Sequence, residues 1–280
     1  MKFHFIGTGG CVSLPKPLCQ CPVCVEAREK GKPYTRRGCS LYLEDVKLLI
    51  DTPEDISVAL NESVVKEIDH VLYTHLDPDH TLGLRVFEQL RLNWFDVFNG
   101  KECIDSINVY AMPHVMADLN MIRSKYGSFL DYYEETRGLI KRVEVSSEFR
   151  LDDINIKLIP IQSSSIFVFE QGNKKLIYAP CDVKPFPEDP IFFGADVLVI
   201  GDTVIGSVMK GDYKLPDDNP IYEDLYHMEE VLKIKEKYEV STLIFTHIEE
   251  DWGKSYDALK VLEAEYDHVI FAYDGMTIEL

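Results

Sequence analysis

The stretch Thr74-His75-Leu76-Asp77-Pro78-Asp79-His80 constrains this chain more than any other, because it gathers two histidines and two carboxylates within six residues. It follows the apolar run Val71-Leu72-Tyr73, which reads as a buried strand. A strand that ends in such a cluster delivers polar side chains to the edge of a sheet, where imidazole nitrogens and carboxylate oxygens can converge on one cation. The alternative is a loop whose acidic residues cap a helix starting near Thr81, with the histidines merely solvated.

A second cluster stands near the N-terminus. Cys19, Cys21 and Cys24 are spaced too closely for easy disulfide pairing but can occupy three corners of a tetrahedron around zinc. The stretch 11–24 holds little apolar material, so a cross-link there would be structural, with the fourth ligand coming from elsewhere. Three free buried thiols are the competing reading. The thiols suit a reducing compartment. No apolar run approaches the length of a bilayer span, and residues 1–7 read as a first strand rather than a secretion signal, so a cytoplasmic protein without membrane partners is expected.

At 280 residues and 46% hydrophobic content, the chain can fill the core of one large domain covering 1–280. A formal net charge of −19 argues against a nucleic-acid surface, which needs clustered Lys and Arg. A small anionic substrate stays open, since a bound divalent cation inverts the field of its own pocket.

Other apolar runs also end in chemistry-bearing residues. Leu48-Leu49-Ile50 ends at Asp51, Leu176 to Ala179 at Pro180-Cys181-Asp182, Ala195 to Ile200 at Gly201-Asp202, and Ser241 to Thr246 at His247. Helical spacing is expected over 54–67, 82–94, 115–139 and 226–238, and a hairpin turn at Gly172-Asn173. Gly7-Thr8-Gly9-Gly10 is a flexible bend after the first strand, short of a full phosphate-loop pattern.

His-x-Asp-x-Asp-His after a strand resembles the His-x-His-x-Asp-His signature of the metallo-β-lactamase superfamily, with Asp77 in place of the second histidine. Two branches that carry a cysteine loop are similar. Arg36-Arg37-Gly38-Cys39-Ser40 resembles the phosphoribosyl cyclic phosphate phosphodiesterases of phosphonate degradation, and Asp79 to Leu84 looks more like the B protein of pyrroloquinoline quinone biosynthesis. The resemblance implies an α/β fold, an αββα sandwich of two mixed sheets with helices outside, over nearly the whole chain.

It also implies a ligand set: His75, Asp77, Asp79 and His80 from the signature, Asp182 as the bridging aspartate, and His247 as the last histidine. The family's remaining histidine falls where this chain has Gln162-Ser163-Ser164-Ser165. The position near His75 and Asp77 should therefore be weak or take a harder ion, and the one near Asp79, His80, Asp182 and His247 should be tighter. Glu250, three residues after His247, is the expected fourth zinc ligand, with Cys11, Cys39 and Asp251 as substitutes.

The activity implied is metal-dependent hydrolysis of a small phosphodiester or cyclic phosphate with one or two zinc, manganese or iron ions, Asp79 or Asp182 orienting the water and His227 protonating the leaving group. Alternatives are an iron oxygenase using Asp79, His80 and His247, and a binding protein that has lost activity. The expected partner is a small molecule, and a homodimer is left open.

Overall fold

The computed structural model describes residues 1–101 and 105–280. Cys103 lies outside them. Six strands begin the first sheet: β1 (Lys2–Gly7), β2 (Ser40–Leu43), β3 (Leu48–Ile50), β4 (His70–Leu72), β5 (Ile107–Ala111) and β6 (Ile140–Glu144). The second sheet follows with β7 (Glu148–Leu151), β8 (Ile154–Ile161), β9 (Ser164–Gln171), β10 (Lys174–Ala179), β11 (Val197–Ile200), β12 (Thr242–Phe245) and β13 (Val269–Phe271). Strand β14 (Thr277–Glu279) returns to the first sheet beside β1.

The spatial orders are β14-β1-β2-β3-β4-β5-β6 and β13-β12-β11-β10-β9-β8-β7, seven strands in each sheet. Each sheet is antiparallel on one side and parallel on the other: β3 to β6 run parallel in the first, β10 to β13 in the second. The C-terminal ends of the parallel strands thus form one rim in each sheet.

Alternation explains how the sheets stack. In Ile154-Asn155-Ile156-Lys157-Leu158 every second residue is buried, as a strand with one covered face requires. Phe3 of β1 meets Phe169 of β9 edge to face, at 5.4 Å between ring centroids, across the layer between the sheets. Strands β9 and β11 are buried on both faces, because Val168, Leu198 and Ile200 look away from that layer into a second core. The helices Met228–Lys237 and Tyr256–Glu263 cover it with Val231 and Leu259.

The strand expectations stand close to what is seen, as does the helix expected over 226–238, which forms at Met228–Lys237, whereas the other long helices are cut short. Residues 54–67 keep only Ile56–Asn61, and 82–94 keeps Val86–Arg91 before a separate short helix at Trp94–Phe98. Over 115–139 the chain forms Pro113–Leu119, a small hairpin with Gly127 at φ 104°, and then short helical turns over Phe129–Asp131 and Tyr132–Thr136 that end before Gly138 at φ 64°. Tertiary packing of Phe87, Leu130 and Tyr133 replaces helical continuity there.

Candidate metal centre

The two parallel rims supply the site. Asp51 follows β3, Thr74 and His75 follow β4, Cys181 and Asp182 follow β10, Asp202 follows β11, and His247 follows β12. Four of these residues turn off their strands in the left-handed region, with φ of 60° at Asp51, 55° at Asp182, 49° at Asp202 and 52° at His247. Asp and His tolerate that region better than branched residues do, at a cost of order 1–3 kcal/mol that the surrounding packing must offset. At Gly201 a Cβ would lie 1.8 Å from the Pro180 carbonyl oxygen and 2.8 Å from the His247 Cβ. Glycine there lets the ends of β10, β11 and β12 approach closely enough to share one site.

Asp51 organises the histidines. One carboxylate oxygen accepts from the Thr74 amide at 2.8 Å; the other accepts from the Thr74 hydroxyl at 2.7 Å and from His80 Nδ1 at 2.8 Å. The Thr74 hydroxyl has a single proton, and it goes to Asp51. His75 Nδ1, 2.8 Å from that hydroxyl oxygen, must therefore be the donor of their hydrogen bond. Both imidazoles are thus fixed with the proton on Nδ1 and the lone pair on Nε2.

Those two Nε2 atoms are buried and have no hydrogen-bond partner among the described residues. The rings lie 4.3 Å apart between centroids. Two inward lone pairs without donors are what a cation would satisfy, and a carboxylate behind an imidazole is the usual way of orienting such a ligand. Burial lowers His75 to about 4, with the charge of His80 adding to the effect, so it is a neutral donor at neutral pH.

His247 stacks on His80, and its Nε2 lies 3.2 Å from Asp79 Oδ2. Burial alone would lower His247, but the hydrogen bond to Asp79 and the charges of Glu249 and Asp202 outweigh it and raise the group to about 9. Burial likewise opposes ionisation of Asp79, yet His247 and His80 hold its carboxyl well below the usual range. The residues fit a divalent cation: His75, His80 and Cys181 bring ligand atoms within 4.8 Å of one another, as do Asp79, His80 and His247, and Cys181, Asp202 and His247.

The residues expected from the sequence divide into three groups. His75, Asp79, His80 and His247 come together as buried donors. Asp77 and Asp182 are exposed rim residues; Asp77 Oδ2 is 3.8 Å from His75 Nε2, and Asp182 accepts from the Ser163 hydroxyl at 3.4 Å. The buried donor on the turn after β10 is Cys181, not Asp182. His227 begins the helix Met228–Lys237 with its ring stacked 3.5 Å from that of Tyr222, so that face is committed to packing.

Asp51, Cys181, Asp202 and Glu249 belong to the site without having been assigned to it. The signal for Asp51 and Asp202 was present, since each closes an apolar strand run as His75 does. Asp202 accepts from the Val183 amide at 2.9 Å and is pushed up to about 6 by burial. Glu249 sits 3.5 Å from His247 Nδ1 and accepts from the Cys11 amide at 3.0 Å.

The cysteine loop forms a separate centre. Cys19, Cys21, Cys24 and Glu250 bring their ligand atoms within 4.8 Å of one another. The Cys21 and Cys24 amides point at the sulfurs of Cys19 and Cys21, at 3.5 and 3.4 Å. Lys210 donates to Cys19 Sγ at 3.1 Å and to Glu250. The Cys21 amide and then the Lys210 ammonium lower Cys19 to about 7, whereas burial and Glu250 push Cys24 up. Three sulfurs and one carboxylate fit zinc by donor type and number. Among the substitute ligands, Cys39 is buried beside the Tyr178 and Thr246 hydroxyls, and Asp251 is exposed.

A family model described as a beta-lactamase superfamily domain matches residues 47–248, most of the chain and nearly all of the site. The chain belongs to the beta-lactamase superfamily. Its architecture is the metallo-β-lactamase fold, shared with solved structures at low identity. A diphosphatase from the PhnP family superposes with a TM-score of 0.71 at 19% identity, covering 100% of this chain and 96% of that one. Zinc-bound PqqB from Methylobacterium extorquens gives 0.70 at 19% identity and full coverage of both chains. The short form of human tRNase Z gives 0.63 at 16% identity, over 100% of this chain and 99% of that one. Comparison with curated proteins finds no match. No helix among the described residues is long and apolar enough to cross a membrane.

Proposed function

We propose that this superfamily member is a metal-dependent hydrolase acting on a small phosphodiester or cyclic phosphate. The observation that carries the reading is the pair of inward, unpartnered Nε2 atoms of His75 and His80, locked by Asp51 at the meeting point of two sheet rims. His75, His80, Asp79 and His247 would hold the cation, which when bound polarises a phosphoryl oxygen and acidifies water. Asp79, held ionised beside His247, would orient an attacking water.

The rim narrows the substrate. Asp77, Asp182 and Glu249 add carboxylates beside the buried donors, which repel polyanions more than a singly charged diester. This supports a small substrate and speaks against nucleic acid. Similarity to the PhnP-family diphosphatase supports phosphoester chemistry, and six free thiols among the described residues support a reducing, cytoplasmic setting.

A second reading rests on Asp79, His80 and His247, which are two histidines and a carboxylate, a set that also suits iron and dioxygen. One experiment separates the two. The protein is purified without added metal, its metals are measured, and it is assayed on bis-p-nitrophenyl phosphate and a ribose cyclic phosphate, with dioxygen uptake followed in parallel. Diester cleavage that disappears in His80→Ala is expected. Dioxygen uptake with iron and no cleavage would reject hydrolysis in favour of the oxidative reading.

A further inference from the structure

We propose that the Cys181 thiolate is a ligand of the metal centre, shared between its two sides. Cys181 is 6% exposed and belongs to two ligand groups at once, with His75 and His80 on one side and with Asp202 and His247 on the other. The residue is pinned on both flanks. The Ser164 hydroxyl donates to its carbonyl at 3.0 Å, and, two residues on, the Val183 amide donates to Asp202 at 2.9 Å.

These bonds fix the backbone of the turn, and the Cys181 sulfur lies within 4.8 Å of ligand nitrogens of His75 and His80, whose Nε2 atoms are buried and unpartnered among the described residues. Those atoms point independently to a cation at this spot. Cys39 supplies the contrast: it is equally buried, but hydroxyls of Tyr178 and Thr246 are its polar neighbours, as expected of a structural thiol. On binding, the S–H bond breaks, a sulfur–metal bond forms, and the proton leaves to solvent.

The proposal rests on the metal-centre reading above and sharpens it. With Ser163 and Asp77 where imidazoles were expected, oxygen donors alone would have favoured manganese near His75. Two imidazoles with a thiolate favour zinc or another borderline-soft ion.

The test uses Co²⁺ as the probe, titrated into the metal-free full chain and into Cys181→Ser, Cys24→Ser and His80→Ala. In the wild type, both the cysteine-loop equivalent and the centre equivalent should show thiolate-to-cobalt charge transfer. Cys181→Ser should remove that band from the centre equivalent alone and weaken it by roughly 10–100-fold or more; Cys24→Ser should affect only the other. An unchanged centre spectrum and affinity in Cys181→Ser, with loss in His80→Ala, overturns the thiolate ligand but leaves the metal centre standing. If His80→Ala also changes nothing, the metal-centre reading itself fails. Should Cys181→Ser not fold, cadmium NMR of the wild type decides: a sulfur-shifted centre resonance supports the ligand, and one typical of nitrogen and oxygen donors overturns it.

Discussion

Asp51 shows how much of the candidate site depends on a carboxylate whose own oxygens are taken up by Thr74 and His80. Its two oxygens take three hydrogen bonds, from the Thr74 amide, the Thr74 hydroxyl and His80 Nδ1, and through Thr74 they also set His75. In Asp51→Asn one of those oxygens becomes an amide, so a donor faces a donor and the tautomer of His80 is no longer imposed. Loss of such support lowers metal affinity by about 10–100-fold, or about 1.4–2.7 kcal/mol. Chelator competition should read that loss while far-ultraviolet circular dichroism stays native, and unchanged affinity would remove Asp51 from the site. The residue was visible in the sequence as the acidic end of an apolar strand. Its role was not, because hydrogen bonding to residues 74 and 80 is a matter of strand adjacency.

At the scale of elements, the site exists because three strand ends of the second sheet converge. The Gly201 Cα lies under the Pro180 carbonyl and beside His247, and an added methyl has no space to relax into. Gly201→Ala should push β10 and β11 apart at their ends and destabilise the protein by about 1–3 kcal/mol, as overpacked sites do. Urea unfolding checks the stability. Metal affinity should fall as well, since Cys181 and Asp202 flank the displaced contact; stability and affinity both at the wild-type level would contradict the packing argument. Strands were legible because period-two patterning and apolar runs survive any tertiary context. The helices over 54–67 and 115–139 were overread because aromatic and apolar residues at helical spacing also serve irregular segments packed on a sheet.

For the whole molecule, long-range ties hold the chain's two ends to the site. Asp274, fully buried, accepts from the Thr8 hydroxyl at 2.8 Å and the Arg37 amide at 2.7 Å. The buried Arg36 beside it donates to Thr8 and to the Ala272 carbonyl. Asp274→Ala strands these donors and leaves the Arg36 charge without its nearby carboxylate, for an expected loss of about 3–5 kcal/mol in denaturant unfolding. A loss under about 1 kcal/mol would mean that water replaces the carboxylate without difficulty. The cysteine centre is a second tie, joining residues 19–24 to Lys210 and Glu250. Stripping the cation proposed there with a strong chelator should lower Tm by roughly 5–10 °C, from about 2.7 kcal/mol of linkage at a hundredfold excess over Kd. The same treatment of Cys24→Ser should have little further effect, and an equal drop there would assign the stabilisation to another ion.

What the amino-acid order carries by itself is most of the strands that end at the two rims, though not β2, β6, β7 or β14, and His75, Asp79, His80 and His247 as candidate donors. These follow from local patterns: an apolar run, then a polar residue at its end, which hydrogen-bonded sheets carry to a common rim. Only the tertiary structure decided which neighbour on each turn looks inward. Cys181 and Asp182 are adjacent in sequence, so a left-handed φ at one residue settles which side chain is buried and which is left on the rim. The second carboxylate of the signature, Asp77, is exposed for a similar reason, since it precedes the short helix Pro78–Thr81 that carries Asp79 and His80 inward. Such choices rest on a few backbone angles and on contacts between strands over a hundred residues apart, and no local pattern of residue types records them.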